Sequence, residues 1–193
     1  MNIYNLVSLI GIFILMRISG AESLNASSNI FVGIESVFTI KPYLNEMTRS
    51  ELCTVLTACM ATVSSNVLAI YVFSLQNQFP TIAGHLVSAS VLSAPAALIM
   101  SKIIVPEREV PKTLGLNISP DYDRGNNMFE AIINGAESGI KLIGGISALA
   151  PGKKGIIAKV GLRAPIAATL ACFMTACVAG TFFTTNGSIL LGG

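Results

Sequence analysis

The sequence predicts an all-α, polytopic integral membrane protein with about three to four membrane helices plus one re-entrant helical hairpin. Three observations carry that expectation. Hydrophobic residues make up 52% of the 193 positions and charged residues only 11%, whereas an ordinary soluble domain is roughly 25% charged. Three segments, 52–75, 83–105 and 162–185, stay apolar over the ~20 residues that a helix rising about 1.5 Å per residue needs to cross a ~30 Å hydrocarbon core. Among these apolar neighbours one stretch, 19–46, is polar and Ser-rich and is broken at Gly33 and Pro42.

Residues 1–18 form an N-terminal apolar helix. Its run IYNLVSLIGIFILM is shorter than a span, no Lys or Arg precedes Arg17, and ISGAES only loosely resembles a cleavage site. It therefore reads as an uncleaved, partly inserted helix rather than a signal peptide. Residues 19–46 carry Glu22, Asn25, Asn29, Glu35 and Lys41. A carboxylate at the bilayer centre costs roughly 2.5–3.5 kcal/mol on insertion scales, so Glu22 and Glu35 need a compensating reason. A re-entrant hairpin of two half-helices supplies one, because free helix ends and side-chain oxygens then bind a polar solute and a cation. The alternative for 19–46 is a water-exposed loop between the first two helices.

Residues 47–105 hold two transmembrane helices. His85 and Lys102 sit near the ends of the second, where a long side chain can snorkel to the headgroups. The four cysteines, Cys53, Cys59, Cys172 and Cys177, lie in apolar runs without metal or redox spacing and read as reduced, space-filling thiols. Residues 106–126 are a polar loop with three prolines. Residues 127–150 form an amphipathic helix in which Glu137 and Lys141 can pair. A basic loop with Lys153, Lys154, Lys159 and Arg163 then leads to the C-terminal transmembrane helix of 151–193. Basic residues border nearly every segment, so no orientation follows. Asn25, Asn117 and Asn186 head Asn-x-Ser triplets that occur readily by chance.

Several function classes drop out. A net charge of +2 and the absence of Trp exclude a nucleic-acid partner. A membrane enzyme using Glu22, Glu35 or His85 would need a nucleophile–base pair or metal cluster, and no spacing supplies one. No catalytic residue is expected.

The motifs point elsewhere. NIFVGIES (29–36) followed by KPYLNEMTRSEL (41–52) resembles the first re-entrant hairpin and exit of the concentrative nucleoside transporter family, close to NIF-x-G-Q-T-E-A-P-L-x-I-R-P-Y-L-x-x-M-T-x-S-E. MATVSSNVLAIYV (60–72) resembles its ATIAGSVL helix, and ASVLSAPAALIMSKIIVPE (89–107) resembles its ASVMSAPAAL helix ending in PE. EAIINGAESGIKL and GGISALAPGKKGIIAKVGLRAPIAATLACFMTACVAG are similar to two later stretches, so the resemblance runs from about 19 to 183.

The resemblance implies a sodium-coupled nucleoside symporter, proton-coupled in some members, moving nucleosides across the plasma membrane as a homotrimer embedded in the lipid bilayer. It puts the family's sodium ligands on Asn29, Val32, Thr62 and Val63 and its nucleoside contacts on Gly33 and Glu35. Amide and hydroxyl oxygens with backbone carbonyls make the oxygen-only shell a small cation needs, and a carboxylate makes strong charge-assisted hydrogen bonds to nucleoside N–H or hydroxyl groups. The chain also departs from the pattern. Gly33-Ile34-Glu35 stands where the family has G-Q-T-E, so apolar Ile34 replaces polar neighbours of the solute. After Leu142 the sequence passes directly into IGGISALAP, where the family has further spans, a second hairpin and its N-E-F and F-A-N-F-S-S motifs. The match also starts at the first hairpin, without the family's earlier helices. An incomplete member is the expectation, and the alternative is a non-transporting membrane protein that assembles with or modulates full-length transporter.

Overall fold

Paired capping boxes start the first two helices of the computed structural model, which describes residues 17–114 and 145–181 and positions 130, 133, 134, 137, 140, 183, 184, 187 and 188. Helix α1, Gly20–Val32, begins where Ser19 Oγ accepts the Glu22 N–H at 3.3 Å and Glu22 Oε2 accepts the Ser19 N–H at 2.9 Å. Helix α2, Arg49–Ala61, repeats the device with Thr48 and Glu51. Each box satisfies two amides that a helix end would leave orphaned.

Gly33 ends α1 with φ +83°, a left-handed conformation that its lack of a Cβ permits. The chain reverses there and continues as a 3-10 helix, η1, Gly33–Tyr43, packed back along α1. Ser36 Oγ donates to Asn25 Oδ1 at 3.0 Å across the hairpin, and Val37, Ile40 and Leu44 bury against Ala21, Leu52 and Val55. Residues 19–46 thus form a helical hairpin with a packed inner face instead of an extended loop. Asn25 is 1% exposed inside it, which removes this asparagine as a glycan acceptor.

Helix α3, Ser65–Leu75, follows α2 after a break at 62–64, and helix α4 spans Ile82–Ile104. After short helices α5 (Ile146–Leu149), η2 (Pro151–Lys153) and α6 (Lys154–Val160), helix α7 runs Arg163–Thr181. A two-residue antiparallel ladder pairs Phe183–Thr184 with Gly187–Ser188 beyond it, a small exception to the all-helical expectation. Helices α2, α4 and α7 pack on one another along a seam of Ala58, Ala61, Ala96, Ala97, Ala168 and Ala171. Small side chains let helix backbones approach closely, as apolar solvent requires when dispersion and not hydrophobicity drives association.

The Arg49–Leu75 and Ile82–Ile104 stretches are each long and apolar enough to span a bilayer, with mean hydropathy 1.7. The third expected span differs. Residues 151–160 and 163–178 form a pair bent by 58°, long and apolar enough together for a broken span or a re-entrant loop. The chain is accordingly a multi-pass membrane protein. The first segment, 1–16, most of the 127–150 helix with the Glu137–Lys141 pair, and Asn117 and Asn186 lie outside the described residues.

Lys102, near the end of α4 as expected, turns into the protein instead of snorkelling outward. It is 6% exposed, and its ammonium lies 2.7 Å from Glu22 Oε1, 3.6 Å from Glu107 Oε2 and 3.1 Å from Ser50 Oγ. Ser50 in turn donates to the Val105 carbonyl at 2.8 Å, and Thr48 Oγ1 donates to Glu107 Oε2 at 2.7 Å. A buried carboxylate is a stronger attraction for the ammonium than distant headgroups, because the low local dielectric amplifies the pair. Glu22 thereby gains the compensation that its burial demands.

Two outcomes follow. Lys102→Met strands the Glu22 carboxylate and should destabilise the protein by about 3–5 kcal/mol, whereas Glu22→Gln with Lys102→Met recovers most of the loss; thermal unfolding in detergent measures both. Gly33→Ala forces a side chain into the left-handed region and sets its Cβ 2.7 Å from Ser64 Cβ. It should cost about 1–3 kcal/mol, with Ser64→Gly relieving only the steric part.

Candidate functional site

The break between α2 and α3 arises where TVSS (62–65) offers hydroxyls to compete for backbone partners. Thr62 closes α2 in extended conformation, φ −111° and ψ 156°, and its Oγ1 donates to the Ala58 carbonyl at 2.9 Å. Ser64 is likewise extended at the start of α3. Among the described residues, no hydrogen bond ends on the carbonyl of Thr62 or of Val63. An interrupted helix therefore presents two free acceptors at mid-segment, and the Thr62 hydroxyl oxygen keeps lone pairs beyond its donated proton.

The α1–η1 turn presses on this break. A Cβ on Gly33 would touch Ser64, and Ser65 Oγ donates to the Phe31 carbonyl at 2.5 Å. The six residues expected to bind ion or solute consequently fall on two touching segments, 29–35 and 62–65. Asn29 lies in the last turn of α1 and Val32 ends it, while Gly33 forms the joint. Glu35 stands in the first turn of η1.

Their burial divides them. Asn29 is fully buried, and neither its Oδ1 nor its Nδ2 has a hydrogen-bond partner. A buried amide without partners carries a desolvation cost of about 1–3 kcal/mol, so this group is a strong candidate for a ligand-binding role. Val32 and Val63 are half exposed, and Glu35 is exposed beside the turn. Glu35 Oε2 lies near the Gly33 Cα side of the joint, so carboxylate and candidate cation donors share one corner. The oxygens present, one amide, one hydroxyl and two free carbonyls, suit a hard monovalent cation. Among the described residues no cluster of His, Cys, Asp or Glu could hold a transition metal.

The sequence reading missed two parts of this corner. Ser65 clamps the Phe31 carbonyl, and Ser36 fixes Asn25 one turn before Asn29. Both are serines within family-like motifs, and the polar character of 19–46 was the available signal. The Asn25 Nδ2 also lacks a partner.

Comparisons with known proteins bear on the family of the chain. The family described as Na+ dependent nucleoside transporter C-terminus matches residues 85–148 and 142–180. The two matches meet at 142–148, where the sequence leaves the family's order. Solute carrier family 28 member 3 of Rattus norvegicus is 42% identical over 135 residues, covering 69% of this chain and 18% of that protein. Sodium/nucleoside cotransporter 2 of Mus musculus is 38% identical over 161 residues, covering 81% of this chain and 22% of that protein. A solved structure of CNTnw in an inward-facing substrate-bound state aligns with TM-score 0.47 at 27% identity, over 95% of this chain and 42% of that one. The chain spans about a fifth of the length of the relatives it matches. By its motifs, their order, and the matching family model and relatives, it belongs to the sodium-dependent nucleoside transporter family, of which it carries part of the C-terminal region.

Proposed function

We propose that this chain carries one half of the ion and solute site of a sodium-coupled nucleoside symporter. The observation behind the proposal is Asn29, a fully buried amide with no partner, set in the turn that packs on a helix break with two free carbonyls. Asn29 Oδ1, the Thr62 hydroxyl and the carbonyls of Val32 and Val63 would hold sodium, which supplies the coupling charge when bound; protons replace it in the variant reading. The hairpin of 19–46 would re-enter the membrane without crossing it. Glu35 would accept hydrogen bonds from nucleoside N–H or hydroxyl groups, with Gly33 leaving room for the solute. The role is transport, with no catalytic step, in a plasma-membrane homotrimer.

A second reading has its own support. Ile34 stands where polar solute contacts are expected, and the two family matches meet at 142–148. Under that reading the chain assembles with a longer family member and alters it.

Sodium should raise the unfolding temperature of the detergent-solubilised protein relative to choline at equal ionic strength. Asn29→Ala should reduce the shift more than Thr62→Ala, because the amide oxygen has no other engagement while Thr62 is backed by adjacent carbonyls. Identical curves in sodium and choline for parent and variants would leave no sodium site to defend.

Uptake of radiolabelled uridine and adenosine in transport-deficient cells separates the two readings. Expressed alone, with surface display verified, the chain should not concentrate either nucleoside. Several charge-assisted bonds are missing at roughly 1.5–3 kcal/mol each, enough to move a micromolar site out of useful range. Sodium-dependent accumulation above background would support transport by the chain itself. Altered uptake only on co-expression with a full-length member would support assembly.

A further inference from the structure

At the end of the bundle that holds Lys102, a cavity of about 330 Å³ opens between the start of α2, the segment after α4 and the start of α7. Three arginines, Arg49, Arg108 and Arg163, are among the residues that line it. Among the described residues none of the three has a carboxylate partner, and Arg49 Nε is buried without a hydrogen-bond partner. Glu107 also lines the cavity, but its oxygens are engaged by Thr48, Lys102 and the Glu109 N–H. The cavity's remaining acidic side chain, Glu109, is exposed.

The placement of the arginines is electrostatically unfavourable in the absence of an anion. Arg49 and Arg163 are the first residues of α2 and α7, where the helix dipole already contributes positive potential and cations are disfavoured. Glu51 offsets this at α2, but α7 has no acidic residue in its first turn. Gathering a third arginine beside them makes sense if an anion with several acceptor oxygens is shared among them. Phosphate is that anion, since guanidinium forks meet its oxygens in pairs. The cavity also lies at the ends of three apolar segments, Arg49–Leu75, Ile82–Ile104 and the bent pair ending at Val178. That is the depth at which lipid headgroups sit, and basic pockets between helices there take anionic headgroups.

We propose that Arg49, Arg108 and Arg163 form a binding site for a phosphate group, separate from the Asn29 corner. The site recognises the phosphate of an anionic phospholipid or of a soluble phosphate. In the bilayer it ties α2, α4 and α7 together at one leaflet.

The full chain is purified in a neutral detergent, and its unfolding temperature is followed while short-chain phosphatidylglycerol, short-chain phosphatidylcholine or inorganic phosphate is titrated at constant ionic strength. Phosphatidylglycerol should raise the temperature by several degrees at saturation, and phosphatidylcholine should not. A shift with phosphatidylglycerol and none with inorganic phosphate assigns the site to a lipid headgroup; a shift with both assigns it to phosphate generally. Arg108→Ala and Arg163→Ala, both at exposed positions, should each weaken binding on the order of tenfold or more. Glu109→Gln should tighten it. Lys112→Ala, which removes an exposed cation paired with Glu46 at 3.2 Å, should leave it unchanged. No shift with either phosphate compound, or a shift equal in the arginine variants and the parent, overturns the proposal.

Discussion

An ammonium and a carboxylate, both withdrawn from water, hold this apolar bundle in place. Glu22 caps α1, Lys102 closes α4, and Ser50 at the start of α2 completes the contact. Each buried charge alone would be costly, and together they are tolerable only in one relative placement of the three helices. The hairpin of 19–46 inherits its position from this contact, because α1 carries Glu22 at one end and Asn29 at the other. The break at 62–64 inherits its position too, since α2 is anchored through Ser50 and Thr48 before it reaches Thr62. A polar clamp at one end of the bundle therefore sets how the turn after Asn29 packs on the break at 62–64.

Much of this architecture could be read from the residues. Hydropathy and length located the segments around 52–75 and 83–105, because composition alone decides which helices tolerate hydrocarbon. Gly33 breaks the polar stretch in the sequence, and it adopts the positive φ that only glycine takes easily. Pro42, the second breaker in that stretch, instead sits within η1. Its missing N–H removes one donor from the last turn of η1, just before the chain leaves the helix.

What could not be read depended on partners distant in sequence. Thr62, Val63 and Ser64 include no glycine or proline, so a continuous helix through 52–75 was the natural expectation. The interruption becomes visible only with the α1 turn packed on it. Lys102 near a helix end looks like any snorkelling lysine until Glu22 is brought beside it. For the candidate site, the sequence supplied residue types and a family pattern. The structure adds the closeness of the 29–35 and 62–65 segments, a tertiary fact with no local periodicity to announce it.

The alanine seam has a mechanical consequence of its own. Ala58, Ala61, Ala96, Ala97, Ala168 and Ala171 present methyl groups of equal height, so α2, α4 and α7 meet across surfaces with little relief. Such surfaces fix the spacing of the rods but resist axial sliding poorly, since only the flexible side chains of Met100 and Met174 rise beside the methyl groups. The vertical alignment of the bundle is then decided at its polar end, where Lys102 and Ser50 act as a pin through otherwise smooth shafts.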